Sequence, residues 1–586
     1  MTDSGVELII NILEKGKIHM GMKRKPKSMV LLLLGMMLAF SASGCSSNNN
    51  AGNNANKNTG NSNAAATTTA EASTEPAATA VSADEPGWKS DTSPITFDWY
   101  LNFSWFANKW GVDPTSQYIT KKTGVNLNFI IPAGNENEKL NTMIASGQLP
   151  DFITLGYWED AVKKLVEGDL VLPLNKLADE YDPYFYKVSD KDKLGWYTQD
   201  DGNVYGYPNS SSSPADYEKY GKNYVSNQTF VVRKDIYEAI GSPDMRTPEG
   251  FLNALKLAQE KFPEVNGQPL IPLGLHEFTE NGNDSLEGYL QNFLAIPWEK
   301  DGKVYERETD PEYVRWMKTL RQANQDGLLA KDIFIDKRAQ MEEKIAQGRY
   351  FAMLYQRTDF GTQLSTIYQK NPDQTYIAVD GPSNAALDQP TLNGPGISGW
   401  TVTLISKNVK DKARAIKFLS YLNSEEGNKD LYLGEKGVSY DTIDGKDQFL
   451  PDVLKLMNSD RSAFDKQIGS SFTFWMMQNT NITDQWAPKS VEPFKQLEDW
   501  TRGKSMNTSE FQLIDPTGNS PEGIIATKLK ALRGKTFPKL LMASSDAEFD
   551  KIWSEYLAKK DKEGFATFDA YRQNKYQENK KKLGME

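Results

Sequence analysis

Hydrophobic and polar residues alternate along Ile95-Thr-Phe-Asp-Trp-Tyr-Leu101, the period of two that predicts a half-buried strand. A helix is expected from about Thr115 to Thr123, and Val125-Asn-Leu-Asn-Phe-Ile130 returns to the strand period. Glu138 to Ser146 then places Leu140, Met143 and Ile144 on one helical face and stops at Gly147. Pro150-Asp-Phe-Ile-Thr-Leu155 reads as the third strand. Strand and helix in turn imply a parallel sheet. Ligands gather beyond the carboxyl ends of strands in open α/β sheets, so Gly156-Tyr157-Trp158-Glu159-Asp160 is a candidate binding loop.

Later segments are helical. Thr247 can cap a helix whose first position is Pro248, where the missing amide proton is harmless, and which runs to about Lys261 with Phe251, Leu255 and Ala258 on its buried face. Ser545 and Glu548 are spaced as a capping box, after which Phe549, Ile552, Trp553, Tyr556 and Leu557 form one stripe.

Before all of these stands a different pattern. Lys23, Arg24, Lys25 and Lys27 precede an unbroken apolar run from Met29 to Phe40, the layout of a secretory leader. The run is shorter than the roughly 20 residues of a membrane-spanning helix. It leads into Ala42-Ser43-Gly44-Cys45, which resembles the lipobox of bacterial lipoproteins, with Ala42 where Leu is usual. The resemblance implies cleavage before Cys45 and a diacylglyceryl thioether on its sulfur. Residues 46–90 are mostly Asn, Ala, Thr, Ser and Gly and cannot bury enough surface to offset ordering, so a disordered tether is expected.

Composition narrows the chemistry of what remains. About 500 residues exceed a single core and imply at least two lobes. The net charge of -11 argues against nucleic acid. Cys45 is the only cysteine, so no disulfide can form within the body. His276 is the only histidine past the leader, which leaves no set of ligands for a zinc site. No G-x-S-x-G elbow, Walker A loop or G-x-G-x-x-G follows a strand. His276 is expected as a hydrogen-bonded loop or cleft residue. Asp190-Lys-Asp192-Lys-Leu194-Gly195, with Asp201 at the twelfth position, has the partial outline of a calcium loop, but Leu194 stands at a ligand position and a solvated acidic loop explains the residues as well. Carboxylates are plentiful, which leaves glycoside hydrolysis open.

Several segments occur in one order: Ala145-Ser-Gly-Gln-Leu-Pro-Asp151, Val171-Leu-Pro-Leu174, Gly202-Asn-Val-Tyr-Gly-Tyr-Pro208, Thr229-Phe-Val-Val-Arg-Lys-Asp235, Gln347-Gly-Arg-Tyr-Phe-Ala-Met353 and Asp411-Lys-Ala-Arg-Ala-Ile-Lys-Phe-Leu-Ser-Tyr-Leu422. In that order they resemble the extracellular solute-binding proteins of family 1 that serve carbohydrate ABC importers, and the long tether resembles the LipO-like lipoproteins of Gram-positive bacteria. The resemblance covers roughly residues 94 to 440. It implies an α/β, two-lobe periplasmic-binding-protein-like fold of type II with an interlobe ligand cleft. On that pattern the first lobe takes 94–210 and 405–450, and the second takes 225–400 and 455–586. Hinges fall near Tyr207 to Tyr217, Trp400 to Ile405 and Phe449 to Val453.

Thirteen tryptophans matter by position. Sugars present C–H faces that stack on aromatic rings and hydroxyls that need planar polar partners. Trp105 follows the first strand, Tyr157, Trp158 and Glu159 follow the third, and Trp400 precedes a hinge strand. The resemblance adds Tyr355, Gln356 and Trp475 as cleft residues. Asp151 and Asp235 are expected to orient backbone in their turns, and Arg233 is a candidate for an interlobe ion pair.

The resemblance thus implies a non-enzymatic, monomeric receptor that takes a carbohydrate and hands it to ABC permease subunits. It would be lipid-anchored through Cys45 at the extracellular face of the cytoplasmic membrane, with no catalytic residue, metal or cofactor. A peptide or sugar-acid cargo, a sensor subunit for a membrane kinase, and a surface polysaccharide hydrolase or lyase are the alternatives.

Overall fold

The structure is a computed structural model that describes residues 83–585. The leader, Cys45 and the tether as far as residue 82 lie outside the described residues. The tether expected to reach residue 90 ends sooner. Gly87–Lys89 form a short turn, and the indole of Trp88 is buried edge-on between Tyr184 and Tyr421 because one large ring outweighs the ordering of a few residues.

The strands that organise the body are β1 (Ile95–Leu101), β2 (Val125–Ile130), β3 (Phe152–Gly156), β4 (Gly206–Pro208), β5 (Gln228–Arg233), β6 (Ile271–Gly274), β7 (Tyr350–Gln356), β8 (Tyr376–Ala378) and β9 (Thr401–Ile405). They build a five-stranded sheet, β2-β1-β3-β9-β4, and a four-stranded sheet, β8-β5-β7-β6. These are the two lobes.

The first three strands are parallel, as the alternation of strand and helix predicts. The sheet as a whole is mixed. Strand β9 runs antiparallel to β3 and to β4, because the chain has built the second lobe and re-enters the first from the opposite end. Every residue of β3 and β9 is buried, as expected for central strands covered on both faces. Phe97, Trp99 and Phe152 pack one face of the sheet, and Tyr100, Ile153 and Leu155 pack the other. In the second lobe Phe230, Val232 and Leu354 meet the helix Pro248–Lys261, while Val231, Met353 and Tyr355 face the helix Gly361–Lys370.

The expected helices form. Gly147 closes Glu136–Ser146 at φ 66°, a conformation that suits glycine. Thr247 accepts the amide of Gly250. Ser545 caps its helix, but the carboxylate of Glu548 accepts from the amide and hydroxyl of Ser544 instead of closing the box on Ser545. Residues Lys191–Tyr197, the middle of the partial calcium outline, are helical, and the Asp190 carboxylate accepts from the Asp192 and Lys193 amides. Asp151 orients backbone, accepting from the amides of Asp98 and Lys410. Arg233 pairs with Asp235, two residues on and inside the second lobe, through two parallel hydrogen bonds of 2.8 and 2.7 Å.

Three crossings join the lobes. Two bracket the segments 208–228 and 393–401, and they hold each other: the Ser211 hydroxyl donates to the Ile397 carbonyl and the Ser212 amide to that of Gly396. Trp400–Ile405 is therefore mostly strand, with the crossing before it. The third crossing lies later than Phe449 to Val453. Those two residues pack with Tyr432 and Phe464, and Phe474 to Met477 enter the core of Phe97 and Trp99. The chain returns to the second lobe between Met477 and Leu497, so residues 455–477 leave the segment assigned to that lobe.

Candidate ligand-binding cleft

Both sheets turn equivalent ends toward the crossings. In the first lobe these are the ends of β1, β3 and β4 and the start of β9; in the second they are the ends of β6, β7 and β8 and the start of β5. The loops at these ends, nearest the crossings, carry the candidates for a ligand cleft.

In the first lobe β1 leads into Asn102, Phe103 and Trp105. The Trp105 indole is 59% exposed and lies parallel to Trp400, 6.1 Å away and tilted by 9°, with Trp475 at 5.7 Å. Trp400 and Trp475 are 4.3 Å apart, and Phe103 meets Trp475 edge-on at 5.1 Å. Asn209 fixes this arrangement. Its side-chain oxygen accepts from the Thr401 amide, its nitrogen donates to the Trp475 carbonyl, and its backbone carbonyl accepts from the Trp400 amide. The Nε1 of Trp475 is buried and finds no acceptor among the described residues.

The loop after β3 completes the wall. Trp158 is 51% exposed, and its ring rests on Gly156 so closely that a Cβ there would lie 2.7 Å from it. Tyr157 meets Trp158 edge-on, and its amide faces the Trp400 carbonyl at 3.5 Å. Glu159 turns back beneath the loop: one carboxyl oxygen accepts from the Gly156 amide at 2.8 Å, the other from the Asn102 side chain at 2.6 Å. Tyr100 donates to Asn102 and so holds that amide in place. Burial pushes the Glu159 carboxyl up to about 7, with Glu136 adding to the effect.

In the second lobe a pocket of about 380 Å³ opens at the end of β6, lined by His276, Glu277, Asp284 and Arg338 among others. The buried imidazole of His276 has its Nδ1 2.7 Å from the Ser285 hydroxyl. That hydroxyl donates to the Leu354 carbonyl, so it must accept from the ring: Nδ1 carries the proton. Burial, with Arg338 nearby, lowers the His276 pKa to about 3 and keeps the ring neutral. Tyr355 stacks on His276 at 3.8 Å and meets Phe360 on its other side at 5.0 Å. With both faces covered, Tyr355 offers the cleft only its hydroxyl, 3.3 Å from Glu277. Gln356 donates to Asp359, which pairs with Arg338, and accepts from Tyr289 at 3.4 Å.

The structure thus groups Trp105, Trp400 and Trp475 into one platform beside Tyr157, Trp158 and Glu159, and sets Tyr355 and Gln356 in the other lobe. Sequence reasoning did not single out Asn102, Asn209, Glu277, Asp284 or Arg338. Only Asn102 carried a local signal, as a polar residue directly after a strand.

This is a two-lobe α/β fold with a cluster of tryptophans at its crossings. The profile of the family described as bacterial extracellular solute-binding protein matches residues 116–438, more than half of the chain, and the chain belongs to that family. Lipoprotein LipO of Bacillus subtilis (strain 168) is 23% identical over 350 residues, covering 57% of this chain and 65% of LipO. The fructooligosaccharide ABC transporter substrate-binding protein FusA of Streptococcus pneumoniae serotype 4 is 25% identical over 232 residues, covering 37% of this chain and 41% of FusA. Both alignments span less than two thirds of the relative. Among solved structures, the alginate-binding protein AlgQ2 without calcium ion superposes with a TM-score of 0.62 at 21% identity, covering 83% of this chain and 98% of AlgQ2. FusA of S. pneumoniae in complex with kestose gives 0.61 at 17% identity, covering 83% and 99%. At these identities the likeness is one of fold.

Proposed function

We propose that this chain is the substrate-binding lipoprotein of an ABC importer, which captures an oligosaccharide between its lobes and delivers it, chemically unchanged, to the permease. It is held at the extracellular face of the cytoplasmic membrane by a lipid on Cys45, and it acts as a monomer without a catalytic residue or cofactor. The observation that carries the carbohydrate reading is the platform of Trp105, Trp400 and Trp475 with Glu159 beside it. Flat apolar surface next to an oriented carboxyl is what a pyranose or furanose ring needs, C–H faces on the rings and hydroxyls on the carboxyl. FusA, a fructooligosaccharide transporter's substrate-binding protein, and AlgQ2, an alginate-binding protein, are in keeping with it. Closure of the lobes buries the cargo, and the closed form is what a permease would recognise.

The test is a thermal-shift screen of the purified chain against mono- and oligosaccharides, followed by product analysis of every hit. A ligand at about 100 times its dissociation constant adds about 2.7 kcal/mol to the folded state. The reading predicts stabilisation by at least one glycan, recovered intact. New reducing ends or unsaturated products would make the protein a hydrolase or lyase, and stabilisation by peptides alone would remove the carbohydrate assignment.

A further inference from the structure

The charges at the cleft-facing loops are unevenly matched. Glu159, Glu277 and Asp284 form no ion pair within 4.0 Å among the described residues, whereas Arg338 is paired with both Asp359 and Glu342 and Arg357 with Glu498. Glu159 is held by two neutral donors, the Gly156 amide and Asn102. Glu277 receives only the Tyr355 hydroxyl, at 3.3 Å. Asp284 is open to water at the mouth of its pocket yet crowded by protein, and Glu277 beside it raises its carboxyl further. Of the lysines in these regions, Lys337 at the rim of the same pocket has no ion pair within 4.0 Å among the described residues, and in the first lobe Lys139 donates to the Ile131 carbonyl. Neither is a fork that could grip a carboxylate or phosphate in two places.

From this imbalance we infer that the cleft admits glycans without anionic groups and rejects uronate, sulfate or phosphate sugars. Closure around a ligand removes water from Glu277 and Asp284, and each then needs O–H donors in its place. A neutral sugar supplies these as hydroxyls, two to a carboxylate. An acidic sugar brings a further negative charge to a site whose guanidiniums are already engaged, and like charges set a few ångströms apart away from water repel strongly. The inference rests on the carbohydrate reading and settles, within it, the charge class of the cargo.

Matched ligands test it. Neutral oligosaccharides and the same oligosaccharides oxidised at C6 to uronates differ mainly in charge, and binding of each pair to the full chain is measured by calorimetry. The expected result is a neutral member that binds and an oxidised member at least about tenfold weaker. That gap should narrow as sodium chloride is raised from 50 to 500 mM, because screening weakens repulsion while leaving stacking intact. Glu277→Gln, or Asp284→Asn if the first variant is unstable, should also narrow the gap by roughly threefold or more. An oxidised glycan that binds as well as its neutral parent, or better, overturns the inference while leaving the carbohydrate reading in place. Binding of peptides and of neither sugar class overturns both.

Discussion

The indoles of Trp400 and Trp475 lie 4.3 Å apart, although one stands where the second crossing enters β9 and the other just before the third crossing. Asn209, from the first crossing, hydrogen-bonds the backbone of both. Each crossing thus contributes one residue to a single unit, so hinge motion and the ring platform are mechanically joined.

Trp105→Ala and Trp475→Ala should therefore separate binding from stability. Trp105 is exposed, and its loss should leave the unfolding free energy in urea within about 1 kcal/mol of wild type while weakening ligand binding roughly tenfold or more. Trp475 is 7% exposed, and Trp475→Ala should cost about 3–5 kcal/mol as well as binding. Equal destabilisation by the two variants would contradict this division.

Trp158 offers a cleaner probe, because its ring touches Gly156 and Tyr157 and is 51% exposed. Trp158→Ala should abolish the ligand-induced thermal shift without unfolding the protein. Gly156→Ala should reproduce part of that loss by pushing the indole off its seat. A wild-type shift in Trp158→Ala would take Trp158 out of the site.

Glu159 gives the protein a pH dependence of definite sign. An ordinary glutamate ionises near 4.5, whereas burial holds this one to about 7. Between those values the unfolded chain has released its proton and the folded chain has not, so this contribution to stability is present below pH 4.5 and is lost as pH rises through 7. Glu159→Gln should erase it. Urea titrations at pH 4.5 and pH 8 should find the variant gaining on the order of 2 kcal/mol over wild type between the two. A constant difference would refute the assignment.

His276 should behave in the opposite sense. Its ring stays neutral in the fold to about pH 3, so below 6.5 the unfolded chain takes up a proton that the folded one refuses, and stability falls with pH. Cleavage at Cys45 would leave it the only histidine, so its imidazole resonances are unambiguous. They should report the Nδ1–H tautomer and fail to titrate between pH 8 and 4.5.

A buried charge cluster holds the C-terminal helices. Glu308, fully enclosed, meets the Arg533 guanidinium at 2.8 Å, the Lys560 ammonium at 2.9 Å and the Tyr556 hydroxyl at 3.0 Å. Glu308→Gln would take a shared carboxylate from two buried cations, leaving Arg533 with Glu287 and Lys560 with Glu306, and a loss of about 3 kcal/mol with looser docking of the helices Pro521–Met542 and Asp546–Lys562 is expected. Chemical denaturation and hydrogen exchange of those helices would measure it.

Local physics made much of this molecule legible in its sequence. Alternation at Ile95–Leu101 and Val125–Ile130, the stop at Gly147 and the Thr247-Pro248 cap were each readable because strands, helix ends and caps depend on residues a few positions apart. The exposed places of Trp105 and Trp158 were readable for a related reason, since both stand just after strands. The antiparallel entry of β9, the burial of Trp88 and the late third crossing depend instead on what the chain meets after long excursions. So does the setting of Tyr355, which the resemblance placed in the cleft and whose ring packs against His276 and Phe360. The sequence alone determined the strands, helices and caps, because those follow from short-range periodicity. Only the tertiary structure decided that Trp105, Trp400 and Trp475 share one platform and that Glu159 sits beside it without a cation, because those relations arise where distant segments converge.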